Sequence, residues 1–181
     1  AGLVVRPGRP PGGGPRAAVE ARVLALWRRG SPPSLQVLQG QELGARLLPL
    51  GPLWASSWLI TNLLFAPGRP WLGKGFGPGG TGYNIFQGPW RGRCFGAAVE
   101  ASLLDGRPAL VLDYGAESGD LAWGRLAGMR DELREVAPGL LLGLGSMRAT
   151  GGAWNCAPFV LCGDLPPPPR EGRPVVGGPP T

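Results

Sequence analysis

The chain has 181 residues, 43% hydrophobic and 17% charged, with a formal net charge of +6 and no histidine. That length suits one domain rather than two, and the missing histidine removes Ser-His-Asp and Cys-His catalysis, the usual proton shuttle near pH 7 and the commonest metal ligand. Lys74 is the only lysine, and the arginines are scattered with no run longer than Arg28-Arg29, which reads as a solvated basic face and not as a nucleic-acid surface.

The chain begins at Ala1, as a fragment or processed product would, and residues 1–15 form a Gly/Pro-rich tail expected to be disordered. Their Arg6 and Arg9 without acids fit an organelle-targeting remnant, but the prolines and the lack of serine do not, and no secretory signal is visible. Residues 17–30 predict an amphipathic helix, because Val19, Val23, Leu26 and Trp27 recur at helical spacing. Gly30 and Ser31-Pro32-Pro33 end it. A linker runs to Gln39, and the segment GQELGARLLPL follows at 40–50. A second helix is expected over Leu53 to Ala66, within an uncharged stretch from Leu47 to Gly68. It is shorter than the roughly 20 residues that a membrane span needs, so a buried or surface-packed helix is expected.

From Trp71 onward the pattern changes. Gly73 to Gly82 reads as a glycine-dense loop and Tyr83 to Phe86 as a short strand. Residues 94–104 alternate as a strand does, and Asp105-Gly106 predicts a tight type I′ hairpin into a return strand, Ala109 to Tyr114. Residues 126–136 fit either a helix or a strand. Pro138-Gly139 suits a type II turn, with Leu140 to Met147 returning from it and Phe159 to Cys162 as the last strand. Residues 164–181, with Pro166 to Pro169, form a second disordered tail. The domain therefore lies within 16–163.

Two glycine patterns imitate phosphate-binding motifs. Gly68 to Lys74 reproduces most of a P-loop, but Gly75 stands where the magnesium-binding hydroxyl belongs. Gly75 to Gly80 matches GxGxxG by letter without opening a helix. No nucleotide, metal or other cofactor is expected. The three cysteines, Cys94, Cys156 and Cys162, suggest buried thiols in a reducing intracellular compartment, with a Cys156–Cys162 bridge as the alternative. The densest charge group, Arg130-Asp131-Glu132-Leu133-Arg134-Glu135, is either a solvated ion-paired face or, on a strand, a source of charges inside a barrel, where Asp113 and Tyr114 can join them.

Several segments together resemble a family. Leu26-Trp27 followed by Ser31-Pro32-Pro33, then Gly40-Gln-Glu-Leu-Gly44, then Pro70-Trp71-Leu-Gly73-Lys74-Gly75-Phe76, look like the GXWXG-type lipocalin-like (calycin-like) proteins. That resemblance, over about residues 24–145, implies a small barrel with an internal cavity and no established reaction.

The resulting expectation is an α+β chain: one or two N-terminal helices on a small antiparallel calycin-like β-barrel or strongly curved sheet. The expected function is non-catalytic binding of a small apolar or amphipathic molecule or lipid. The candidate ligand-binding residues are Trp71, Lys74, Phe76, Tyr83, Asn84, Tyr114, Arg130, Asp131 and Arg134, with Trp71 and Phe76 at the entry and Arg130 or Arg134 meeting the ligand's polar end. A carboxylate/arginine-dependent enzyme on the same barrel is the alternative. A membrane-peripheral lipid carrier using Trp54 and Trp58 is a further one.

Overall fold

The computed structural model describes residues 15–50, 69–88, 90–115, 128–150, 152 and 156–164. The expected helix over Leu53 to Ala66, with Trp54 and Trp58, and both expected tails lie outside or almost wholly outside these residues. Helix α1 (Pro15–Arg29) leads to a single-turn helix α2 (Leu35–Leu38). Eight strands follow: β1 (Glu42–Leu47), β2 (Trp71–Phe76), β3 (Thr81–Phe86), β4 (Trp90–Ala101), β5 (Pro108–Asp113), β6 (Met129–Ala137), β7 (Leu140–Met147) and β8 (Ala157–Asp164). Each pairs antiparallel with the next, and β8 closes on β1, so the sheet is a barrel without free edges. The α+β class with an antiparallel barrel is the expected one. No helix among the described residues is long and apolar enough to cross a membrane.

Alternation decides which residues enter the lumen. On β5 Leu110 and Leu112 point inward beside Leu133 of β6, while Leu141 of β7 and Leu161 of β8 continue the same core. At one end α2 crosses the barrel and adds Leu38, close to Leu43 and Phe76. The alternate residues face outward, and α1 packs on them: Trp27, fully buried, meets Ala109, Leu142 and Leu144.

The ambiguous stretch 126–136 resolves into β6 from Met129, because its register places Leu133 inside and Arg134 outside. Pro138-Gly139 forms the two-residue turn into β7, with Gly139 at φ 70°. Two expectations are corrected. Gly73 to Gly82 is no loop but parts of β2 and β3 around a 3-10 turn at Pro78–Gly80. The glycines there make room for rings on the neighbouring strand: a Cβ on Gly75 would lie 2.3 Å from Tyr83, and one on Gly82 would lie 2.2 Å from Phe95. Asp105-Gly106 marks a turn but not a two-residue one, since β4 ends at Ala101 and β5 begins at Pro108. The Ser102 carbonyl accepts from Gly106 N–H, and the Asp105 carboxylate accepts from Arg107 N–H. Glu42–Leu47, in the segment after the linker, forms β1.

Candidate functional site

Four polar side chains meet inside the apolar barrel. Lys74 of β2 is 1% exposed, and its ammonium donates to Asp131 Oδ2 at 2.7 Å, Asn84 Oδ1 at 2.8 Å and Tyr114 Oη at 2.5 Å. Tyr114 in turn donates to Asp131 Oδ2 at 2.7 Å and accepts from Asn84 Nδ2 at 3.2 Å. Asn84 also donates to the Arg93 carbonyl at 2.9 Å and accepts from Trp71 Nε1 at 3.1 Å. The sequence places these groups together through strand register: Lys74 lies opposite Asn84 on β2 and β3, and Asp131 opposite Leu112 on β5, two residues before Tyr114. A bulge in β4 serves the site as well. Arg93 adopts φ 55°, the register of β3 against β4 shifts there, and the Arg93 carbonyl receives Asn84.

Aromatic rings enclose the ammonium. Lys74 Nζ lies 5.2 Å from the Trp71 ring centroid, 5.3 Å from Phe95, 5.2 Å from Tyr114 and 5.5 Å from Phe159. These distances are within cation–π range. Trp71 packs edge-on against Phe159, and Phe95 against both Phe76 and Tyr114. Burial pushes the Lys74 ammonium below its ordinary value, against the pull of the Asp131 charge. Burial, reinforced by that same charge, holds the Tyr114 phenol well above its ordinary value.

The donor inventory of this group is used up. Lys74 has three N–H donors and three acceptors, and Asn84 spends both its amide hydrogens. Asp131 differs. Its Oδ2 takes two donors, while its Oδ1 accepts no hydrogen bond from the described residues. The Asp131 side chain is 10% exposed. Its cross-strand row continues through Gly145 and Ala157, so small residues flank Oδ1. Asp131 stands near the start of β6, at the barrel end away from α2, where β1–β2, β3–β4, β5–β6 and β7–β8 are connected. No three His, Cys, Asp or Glu among the described residues converge as metal ligands.

Of the nine candidate residues, Trp71, Lys74, Asn84, Tyr114 and Asp131 come together here, and Phe76 lies deeper as packing on Phe95. The other three face outward. Tyr83 donates to Glu42 Oε1 at 2.8 Å on the outer wall, where Arg91 also pairs with Glu42. Arg130 bonds Glu132, Glu100 and the Ala101 carbonyl. Arg134 is completely buried under α1, holding Asp105 through two nitrogens and the carbonyls of Trp27, Arg107 and Pro108. The expectation that Arg130 or Arg134 meets a lumenal ligand is therefore corrected: on β6 they share the face opposite to Asp131. Sequence reasoning missed Phe95 and Phe159. Their signal was a ring in register with a glycine, Phe95 with Gly82 and Phe159 with Gly143, which only the pairing reveals. The three cysteines form no disulfide, so the alternative Cys156–Cys162 bridge is absent, and the expectation of buried thiols is corrected: Cys94 and Cys156 are half-buried and Cys162 is exposed.

No family model matches the sequence, and no curated protein does. A crystal structure of a protein from Thermomonospora curvata is similar in fold, with a TM-score of 0.51 at 15% identity, covering 80% of this chain and 87% of that one. That likeness concerns the fold alone.

Proposed function

We propose that the barrel is a binding module for a small apolar or amphipathic molecule, received at the barrel end where Asp131 stands. The observation that carries this reading is the polar quartet in an apolar, aromatic lumen, with one carboxylate oxygen that accepts no hydrogen bond from the described residues. A buried ion pair is a poor source of stability, because desolvation offsets its attraction. Binding sites, by contrast, are mostly apolar with a few oriented polar groups, and shifted titrations gather in them. The resemblance to GXWXG-type lipocalin-like proteins supports the same reading. Two measurements test it: native mass spectrometry of the purified chain for a retained small molecule, and titration with an apolar fluorophore followed by Trp71 emission. Saturable binding at one site is expected. A chain that retains nothing and shows no saturable response overturns the reading.

A second reading rests on a different feature of the same group. Asp131 Oδ2 is shared by an amine and a phenol, both with displaced titration, an arrangement suited to acid–base catalysis. In that reading Asp131, Lys74 and Tyr114 take the place of the outward-facing arginines. Steady turnover of an added substrate, abolished by Asp131→Asn, is its test.

A further inference from the structure

The polar inventory of the lumen says what kind of head group it can receive, given the binding reading above, on which this inference rests. A ligand carboxylate needs a donor. Each hydrogen of Lys74 and of the Asn84 amide already has an acceptor, and the Tyr114 hydroxyl hydrogen is given to Asp131. A second carboxylate beside Asp131 would meet like charge with nothing to bond. A ligand ammonium would stand next to the Lys74 ammonium, at a carboxylate whose charge that lysine already balances at 2.7 Å. What remains without a donor among the described residues is one acceptor, Asp131 Oδ1. A Cβ on Gly145, directly opposite Asp131, would come within 3.0 Å of Oδ1, so the glycine keeps that side of the carboxylate clear.

We propose that this site takes neutral hydroxyl ligands, an alcohol on an apolar chain or ring, with the hydroxyl donating to Asp131 Oδ1 and the apolar part lying against Trp71 and Phe159. Alcohols fit because they carry a donor without a charge. The carboxylate acceptor makes the bond stronger than a neutral one, and it is absent for an alkane of the same length.

The test is a head-group series on one chain length. The full chain, holding a bound apolar fluorophore, is titrated with 1-decanol, decanoate, decylamine and decane, and displacement is read. Decanol is expected to bind about tenfold or more tighter than decane, the scale of one hydrogen bond to a charged acceptor, and tighter than decanoate and decylamine. Gly145→Ala, which crowds Oδ1, should lower the affinity for decanol. Asp131→Ala should abolish the preference over decane. Because that variant strands the Lys74 charge, the double variant Lys74→Met/Asp131→Ala is measured beside it and should bind decanol and decane alike. Equal affinity of all four probes for the wild type, or tighter binding of decanoate or decylamine, overturns the hydroxyl assignment and leaves the binding reading standing. If no probe displaces the fluorophore and the fluorophore itself does not saturate, the binding reading falls and this inference with it.

Discussion

Lys74 and Asp131 lie in a lumen filled, apart from Asn84, by leucines and rings, and each charge is tolerable only because of the other. Lys74→Met leaves a carboxylate facing Tyr114 alone, and Asp131→Leu leaves a buried ammonium without its counter-charge. Each single change is expected to cost about 3–5 kcal/mol, whereas the double change Lys74→Met/Asp131→Leu should recover most of that loss, since apolar replacement of a whole buried pair is often neutral. Urea unfolding of the four proteins measures the coupling, and additive losses would show that the two charges act independently. The chain's two tyrosines offer a second readout. Burial raises both: Tyr114 well above its ordinary 10.0, with the Asp131 charge adding to it, and Tyr83 with the help of its bond to Glu42. A folded value above the unfolded one means that the stabilisation is fully present below pH 10 and is lost as pH rises through the folded value. Absorbance at tyrosinate wavelengths should therefore stay low in the native protein near pH 10 and rise together with unfolding. A normal titration of one tyrosine at pH 10 would contradict the placement of one of them.

At the scale of elements, Arg134 fastens α1 to the barrel beneath the Trp27 contact. Arg134 projects from β6 beneath the helix, and its guanidinium stacks 4.5 Å from the Trp27 ring centroid. It bonds the Trp27 carbonyl at 3.1 Å and Asp105 at 2.7 and 2.8 Å, so helix, β4–β5 loop and strand share one charge. Arg134→Met should cost about 3–5 kcal/mol, the range for breaking a buried pair, and lysine should not rescue it because it lacks the planar fork. Asp105 adds a pH signature. The hydrogen bond from Arg134 is the main cause that holds its carboxyl below the ordinary 3.8. That contribution is fully present above the ordinary value and is lost as pH falls through the depressed one. Acid unfolding of wild type should carry this loss, and Arg134→Met should not; identical acid profiles would refute the lock. How far elements were readable from the residues follows the same physics. Pro138-Gly139 announced its turn because positive φ at a glycine is a local requirement, and β5, β7 and β8 announced themselves by apolar runs. Residues 126–136 read as helix or strand because Leu133 serves either period, and only the pairing with β5 and β7 decides. Lys74, Asn84, Tyr114 and Asp131 were all legible as candidates by residue type. Which of them face inward was not, since one residue's difference on β6 sends Asp131 into the lumen and Arg130 out of it.

On the scale of the whole molecule, glycines under rings shape the barrel. In three cross-strand pairs an aromatic ring lies over a glycine: Tyr83 over Gly75, Phe95 over Gly82, and Phe159 over Gly143. Read alone, such glycines weaken a strand, which is why 73–82 reads as a loop. In the barrel each lets a ring lie flat against the neighbouring strand. Two of those rings, Phe95 and Phe159, then form part of the enclosure around Lys74. Gly143 is the position at which to test this. A Cβ there would sit 2.2 Å from Phe159 Cζ, inside any real contact, with the ring fully committed to the core. Gly143→Ala must therefore move Phe159, and through their edge-on contact at 5.4 Å it must move Trp71 as well. Overpacking of this kind costs typically about 1–3 kcal/mol. The stability loss alone would not separate a lumenal effect from a local one, so Trp71 supplies the second signal: its indole N–H bonds Asn84 in the quartet. Gly143→Ala should lower the unfolding midpoint and alter Trp71 emission. Gly139→Ala, at a positive φ on the β6–β7 turn with open space around it, should lower the midpoint without changing Trp71 emission. If both variants leave Trp71 emission unchanged, Phe159 does not couple the barrel wall to the polar quartet.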